Sequence, residues 1–204
     1  MKKKIIIITI AAAILLFAGF AFSMILNPLN MGISPLIKAN GQEQTGRRFE
    51  ISFSYNKVRL IASSQYAAWI EDMDGNYINT LYVTRYTAKE GYQRRPKSIP
   101  KWVSAAQPAD MSAAEIDAIS GATPRPGEYR VYWDFTDNNG NPVTGTEYRY
   151  FFEATMNNDD DALYSGTITI GEDAWEHSFF PEYSIPDSQY KHMIENVRVA
   201  YTPN

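Results

Sequence analysis

Strict alternation of apolar and polar side chains is the feature of this sequence that most limits its fold. Phe49, Ile51, Phe53 and Tyr55 are separated by single polar residues. A period of two places alternate side chains on opposite faces of an extended chain. The stretch therefore predicts a half-buried β-strand.

The same pattern returns along the chain between polar turn sequences. It predicts further strands at residues 66–71, 77–86, 129–135, 148–154, 167–170 and 197–201. The segments 72–76 and 137–142 are rich in Asp, Asn and Gly, which favour tight turns. About seven short strands joined in this way predict a mostly β fold, an antiparallel β-sandwich.

One long insertion interrupts the predicted strands. Residues 89–110 contain three prolines and are predicted to be irregular. Ser112 and Glu115 have the spacing of a capping box, which predicts one short helix from Met111 to Ile119. Loops of this length often carry function.

The N-terminal segment is apolar and separate from this pattern. Lys2, Lys3 and Lys4 precede an uncharged run from Ile5 to Leu26. About 20 such residues cross a bilayer as a helix, and the lysines favour the cytoplasmic side. We therefore expect residues 1–26 to be a signal anchor with one transmembrane helix. A cleaved signal peptide is the alternative, and both export the remainder.

The rest of the chain divides into a linker and a domain. Residues 27–47 mix Pro and Gly with polar residues and predict a linker. Residues 48–204 then form the β-sandwich domain. We expect it at the cell membrane, attached by a single pass and lying on the extracytoplasmic side.

Composition excludes several classes of function. The sequence has no cysteine, which excludes disulfides, thiolate metal sites and cysteine nucleophiles. Its formal net charge is −4, which argues against binding nucleic acid. His177 and His192 do not have the spacing of metal ligands, so no metal site is predicted.

A set of short motifs extends over residues 49–201. It includes the sequences 68–72, 100–102, 117–123 and 133–134, with Gly75, Gly127, Asp137, Gly140 and Gly145. In order and spacing these motifs resemble a family of predicted periplasmic proteins, the domain of unknown function 2271. Its part from Trp133 to Gly145 is also similar to the immunoglobulin-like domain of flagellar hook-capping proteins. That similarity implies that the antiparallel β-sandwich is immunoglobulin-like, and it carries no chemistry.

A second resemblance concerns the sequence Asp117-x-x-Ser120-Gly121-Ala122-Thr123. It is similar to the flavinylation motif of FMN-binding domains in membrane redox complexes. In those proteins an exported, magnesium-dependent flavin transferase moves FMN from FAD onto the last threonine. The resemblance implies covalent FMN on Thr123. The alternative is an ordinary helix C-cap at Gly121 followed by a proline-rich turn.

The residues of this motif suit such chemistry. Thr123 supplies a hydroxyl acceptor, which a transferase and its metal must activate. Gly121 and Ala122 are small enough to enter a narrow cleft. Ser120 and Asp117 are expected to hydrogen-bond nearby amides and to leave Thr123 exposed just past the helix.

Other residues are candidates for contact with a flavin by their nearness in sequence. Trp102 and Tyr129 could stack on its ring, and Arg125 could meet its phosphate. Ordinary core positions for the two aromatic residues and a solvated turn position for Arg125 are the alternatives. The segment from Pro124 to Gly127 departs from the usual FMN-binding domain.

These observations predict an extracytoplasmic electron carrier rather than a stand-alone enzyme. Its expected partners are an exported flavin transferase, membrane redox proteins and the membrane itself. The alternative is a non-redox binding or structural module of the cell envelope. A hydrolase with unrecognised carboxylates is a third possibility.

Overall fold

Ten β-strands form the framework of the protein in the computed structural model, which describes residues 46–57 and 63–204. The strands are β1 Arg48–Tyr55, β2 Gln65–Glu71, β3 Tyr77–Thr84, β4 Ser120–Gly121, β5 Gly127–Trp133, β6 Glu147–Asn157, β7 Asp160–Thr169, β8 Trp175–Ser178, β9 Glu182–Tyr183 and β10 Ile194–Thr202. All described residues lie in one compact unit.

The predicted anchor, residues 1–26, lies outside the described residues, as does the predicted linker 27–47 except for its last two residues. Within the part of the chain that is described, no helix is long and apolar enough to cross a membrane.

The strands form two sheets that pack face to face. One sheet has the order β5-β1-β10-β8, and the other has the order β4-β3-β2-β6-β7-β9. Neighbouring strands are antiparallel, except that β4 runs parallel to β3. The ring of Phe53 in the first sheet lies 4.5 Å from that of Phe152 in the second. The prediction of a mostly β fold is confirmed.

Burial in β1 follows the predicted alternation. Its residues alternate between partly exposed and buried along the whole strand, with Phe49, Ile51, Phe53 and Tyr55 facing the core. Burying a large apolar side chain stabilises the fold by roughly 1.5–3 kcal/mol. The core between the sheets is therefore what holds this strand in its register.

The sandwich has two distinct ends. Arg48 pairs with Thr202 where the chain enters β1, and we call this the entry end. Tyr55, at the other end of β1, lies opposite Gly127 of β5, and its ring is 5.6 Å from that of Tyr66 in the second sheet. We call this the far end. At about 3.4 Å per residue, β1 separates the two ends by about 25 Å.

A helical layer covers the outer face of the six-stranded sheet. It contains α1 Tyr92–Arg94, α2 Pro100–Ala106 and α3 Ala113–Ile119, with a π-helical turn at Thr87–Gly91 and a 3₁₀ turn at Pro108–Asp110. A further 3₁₀ turn, Lys191–Met193, precedes β10. The predicted helix is confirmed as α3, with the Ser112–Glu115 capping box in place.

The prediction of one helix in an otherwise irregular insertion is wrong. Pro100 occupies the first turn of α2, where its missing N–H leaves no intrahelical bond unmade. Ile99, Trp102 and Ala106 are buried in a second apolar cluster together with Ile116 of α3. Contact with the sheet therefore gives order to a segment whose prolines alone suggest irregular structure.

Glu153 of β6 fixes the start of α2. This residue has no exposed surface, and its carboxylate accepts hydrogen bonds from the backbone N–H groups of Trp102 at 2.9 Å and Lys101 at 3.2 Å. Burial raises the pKa of Glu153 to about 7, although the two backbone hydrogen bonds act in the opposite direction. The helical layer is thus attached to the sheet by a buried carboxyl group.

Candidate functional site

The candidate site starts where α3 ends. Ser120 follows the helix with an extended backbone, at φ −107° and ψ 146°. Ser120 and Gly121 form β4, which pairs with Val83 and Thr84 at the end of β3. The flavinylation-like motif thus contributes the edge strand of the six-stranded sheet at the far end.

Gly121 is in close contact with Tyr82. A Cβ atom at position 121 would lie 2.7 Å from Cε2 of Tyr82, closer than a side chain allows. Glycine is the residue that permits such close approach of a backbone. The tyrosine ring, which is buried, therefore explains the glycine in the motif.

Two tyrosine hydroxyls hold residues 122–125, which we call the Thr123 loop. Tyr82 donates a 2.7 Å hydrogen bond to the carbonyl oxygen of Ala122. Tyr129 donates a 2.5 Å hydrogen bond to the carbonyl oxygen of Arg125. Burial raises the pKa of both phenols, so both hydroxyls keep their protons around neutral pH. The loop is attached to the core on both sides of Thr123.

Thr123 itself is half-buried. Pro124 follows it and disfavours helical backbone at position 123. The sequence predicts an exposed threonine directly after a helix. The structure instead places β4 between α3 and the Thr123 loop and covers part of the threonine.

Asp117 lies on α3 and is about half exposed. Its carboxylate is 3.1 Å from Nζ of Lys89 and 3.8 Å from the guanidinium of Arg85. The sequence predicts that the Asp117 carboxylate accepts hydrogen bonds from nearby amides, and the structure shows these two ion pairs instead. Exposed ion pairs contribute little stability, so the carboxylate stays available to a partner.

Ser120 does not form the predicted hydrogen bond either. Its Oγ is buried and has no hydrogen-bond partner among the described residues. The backbone of Ser120, through its pairing with β3, is what holds this part of the motif.

Of the three candidate contact residues, two are buried and one is exposed. Trp102 has no exposed surface and donates a 2.9 Å hydrogen bond from Nε1 to Oγ1 of Thr80, so its ring offers no surface to a flavin. Tyr129 is buried and stacks on Phe53 with ring centroids 5.7 Å apart. Arg125 is exposed within the Thr123 loop and is open to an anion.

Sequence reasoning missed the roles of Tyr82, Lys89 and Arg85. Tyr82 belongs to a predicted strand, and nothing local relates it to residues 40 positions further on. Lys89 and Arg85 follow β3, and their ion pairs with Asp117 depend on how α3 packs beside that strand. A search for cations near the motif in sequence finds Arg125 alone.

The chain matches a model of a protein family. No curated protein and no solved structure matches the chain. A family model described as "Predicted periplasmic protein (DUF2271)" matches residues 48–182, which is more than half of the chain and includes the whole motif from Asp117 to Thr123. The chain therefore belongs to the DUF2271 family of predicted periplasmic proteins.

Proposed function

We propose that this protein is an extracytoplasmic electron carrier with FMN attached to Thr123 through a phosphoester. The observation that carries the proposal is the setting of the motif. Its final threonine is partly exposed in a loop held at the far end of the sandwich. Membership of a family of predicted periplasmic proteins supports the compartment in which exported flavin transferases act.

The residues of the site fit the attachment of a flavin. In the transfer, Oγ1 of Thr123 forms a bond to the FMN phosphorus of FAD, the bond from that phosphorus to AMP breaks, and the hydroxyl proton leaves to a base of the transferase. Gly121 and Ala122 add little bulk beside the acceptor, and Ala122 is exposed. Arg125 is exposed next to the acceptor and could pair with the phosphate.

Bound flavin would supply the redox chemistry, accepting and donating electrons, while the protein sets its position. The Thr123 loop lies about 25 Å along the strands from the point where the chain enters the sandwich. Membrane redox proteins are the proposed donors or acceptors.

The anchor and the finer fold class belong to the same proposal. We propose that residues 1–26 form a single-pass anchor, with the domain on the extracytoplasmic side, because an uncharged run follows three lysines. We also propose an immunoglobulin-like relationship for the sandwich, supported by the similarity from Trp133 to Gly145.

The test is covalent labelling of the full chain. We would express it together with an exported flavin transferase, supply FAD and Mg²⁺, and view a denaturing gel under ultraviolet light. The expected result is a fluorescent band that disappears in Thr123→Val. Thr144→Val, which changes an exposed threonine in another loop, should keep the band. A dark wild-type band, beside an established flavinylated protein that does label, would contradict the proposal.

A non-redox module of the cell envelope is the second candidate. It is favoured by the structural roles that parts of the motif already have. Gly121 accommodates Tyr82, and Asp117 pairs with Lys89, and neither contact needs a flavin. This candidate predicts a colourless protein that co-purifies with a partner under the labelling conditions above.

A further inference from the structure

Two tyrosine side chains outside the Thr123 loop donate hydrogen bonds to it. Tyr82 lies 40 residues before Ala122 in the sequence, and Tyr129 belongs to the strand that follows the loop. Tyr82 comes from β3 and Tyr129 from β5, one in each sheet. Their acceptors, the carbonyl oxygens of Ala122 and Arg125, lie on either side of Thr123. The loop is therefore attached to both sheets at once.

We propose that Tyr82 and Tyr129 are positioning residues for flavin transfer. They hold the Thr123 loop in the one backbone conformation that the transferase accepts. This inference rests on the proposed function, in which Thr123 is the acceptor. It adds that acceptor recognition depends on a loop formed before the transferase binds, and on two residues outside the flavinylation motif.

The packing of both rings makes them suitable anchors. Tyr82 is 3% exposed and its ring lies against Gly121, while Tyr129 is 4% exposed and stacks on Phe53. A buried aromatic ring has few alternative rotamers, so its hydroxyl has an almost fixed position. Each hydrogen bond therefore restrains a carbonyl of the loop rather than following its motion.

Loss of these hydrogen bonds has a defined kinetic consequence. Both hydroxyls bond to backbone carbonyls, so the reactivity of the Thr123 hydroxyl should not depend on them. Without them, the loop spends less time in the accepted conformation. The apparent affinity of the transferase for the loop falls in proportion to the population of that conformation. The expected signature is a raised KM for the acceptor protein with kcat unchanged.

Steady-state labelling of the full chain tests this expectation. Tyr82→Phe, Tyr129→Phe and the double variant keep the rings and remove the hydroxyls. We expect KM for the acceptor to rise about tenfold in the double variant, and by less in each single variant, with kcat within about twofold. Tyr148→Phe is the matched control, because its buried hydroxyl accepts a 2.6 Å hydrogen bond from the N–H of Gly145 at the entry end. It should label with wild-type KM.

Amide hydrogen exchange gives a second readout that needs no flavin. The amides of Ala122, Thr123 and Arg125 should exchange faster in the double tyrosine variant than in the wild type, and at the wild-type rate in Tyr148→Phe. Unchanged exchange in the double variant, or an unchanged KM, would overturn the inference. Absence of labelling in the wild type would instead contradict Thr123 as the acceptor, and exchange would still decide whether the tyrosines hold the loop.

Discussion

The hydroxyl of Tyr82 donates a hydrogen bond to the carbonyl oxygen of Ala122, 40 residues further along the chain. The same tyrosine ring occupies the space in which a side chain at Gly121 would stand. One residue of β3 thus determines both the close packing of β4 and the start of the Thr123 loop.

Gly121→Ala should therefore destabilise the protein. The new Cβ would lie 2.7 Å from Cε2 of Tyr82, and a buried ring of that size cannot move without disturbing the core. We expect a loss of about 1–3 kcal/mol in the free energy of unfolding, measured by urea denaturation. Gly171→Ala is the control, since a Cβ there meets nothing within 4 Å. Equal stability of the two variants would show that the Tyr82 contact is not tight.

Trp102→Phe separates a core role from a flavin contact. The substitution removes the hydrogen bond to Thr80 and leaves a space in the helical layer, so we expect a loss of about 1–3 kcal/mol in the free energy of unfolding. Because Trp102 has no exposed surface, the visible absorption spectrum of labelled protein should not change. A shifted flavin spectrum would place Trp102 beside the ring and contradict its burial in the labelled protein.

Local chemistry explains which parts of the fold could be predicted from the sequence. The alternation of apolar and polar residues in β1 was sufficient to predict that strand, because one of its faces is buried and the other is partly exposed. The turn between β2 and β3 was also predictable. Asp72 accepts hydrogen bonds from the backbone of Asp74 and Asn76, so the turn is formed by its own residues.

The helical layer and the site geometry depend on contacts between distant residues. The start of α2 is held by Glu153, about 50 residues away, and no pattern within 89–110 contains that information. Similarly, the sequence shows a predicted helix followed by Gly121 and Thr123. Residues 120–121 form an edge strand because they pair with the backbone of Val83 and Thr84, which are distant in sequence. The motif could be found from the sequence, but its setting could not.

The ion pair between Asp117 and Lys89 allows a test of what the motif carboxylate does. Both side chains are about half exposed, so Asp117→Asn and Lys89→Met should each change the free energy of unfolding by less than about 1 kcal/mol. We expect Asp117→Asn to lower kcat/KM for flavin labelling roughly tenfold, because the variant loses one charge-assisted hydrogen bond between this carboxylate and the transferase. Lys89→Met should label normally. Equal losses in both variants would show that the ion pair, rather than the carboxylate, is what matters.

Glu153 should make the stability of the protein depend on pH. Its pKa is raised from 4.5 to about 7, chiefly by burial, so between these values the folded protein binds a proton that the unfolded chain has released. Stability should therefore be highest below about pH 4.5, as far as this group is concerned, and should fall as pH rises towards 7. At 1.36 kcal/mol per pKa unit, the loss is at most about 3 kcal/mol.

Glu153→Gln removes this titration while keeping the size of the side chain. Its single amide oxygen can accept from one of the two N–H groups at Trp102 and Lys101, so the variant should be less stable than the wild type at pH 5. Its stability should also fall less than that of the wild type between pH 5 and pH 7.5, as measured by urea denaturation at both values. Burial also raises the pKa of Asp161, which gives both proteins a slope of the same sign, and the difference between the two slopes is therefore the quantity to compare. Identical slopes would mean that Glu153 titrates near its ordinary value and that its hydrogen bonds to α2 outweigh its burial.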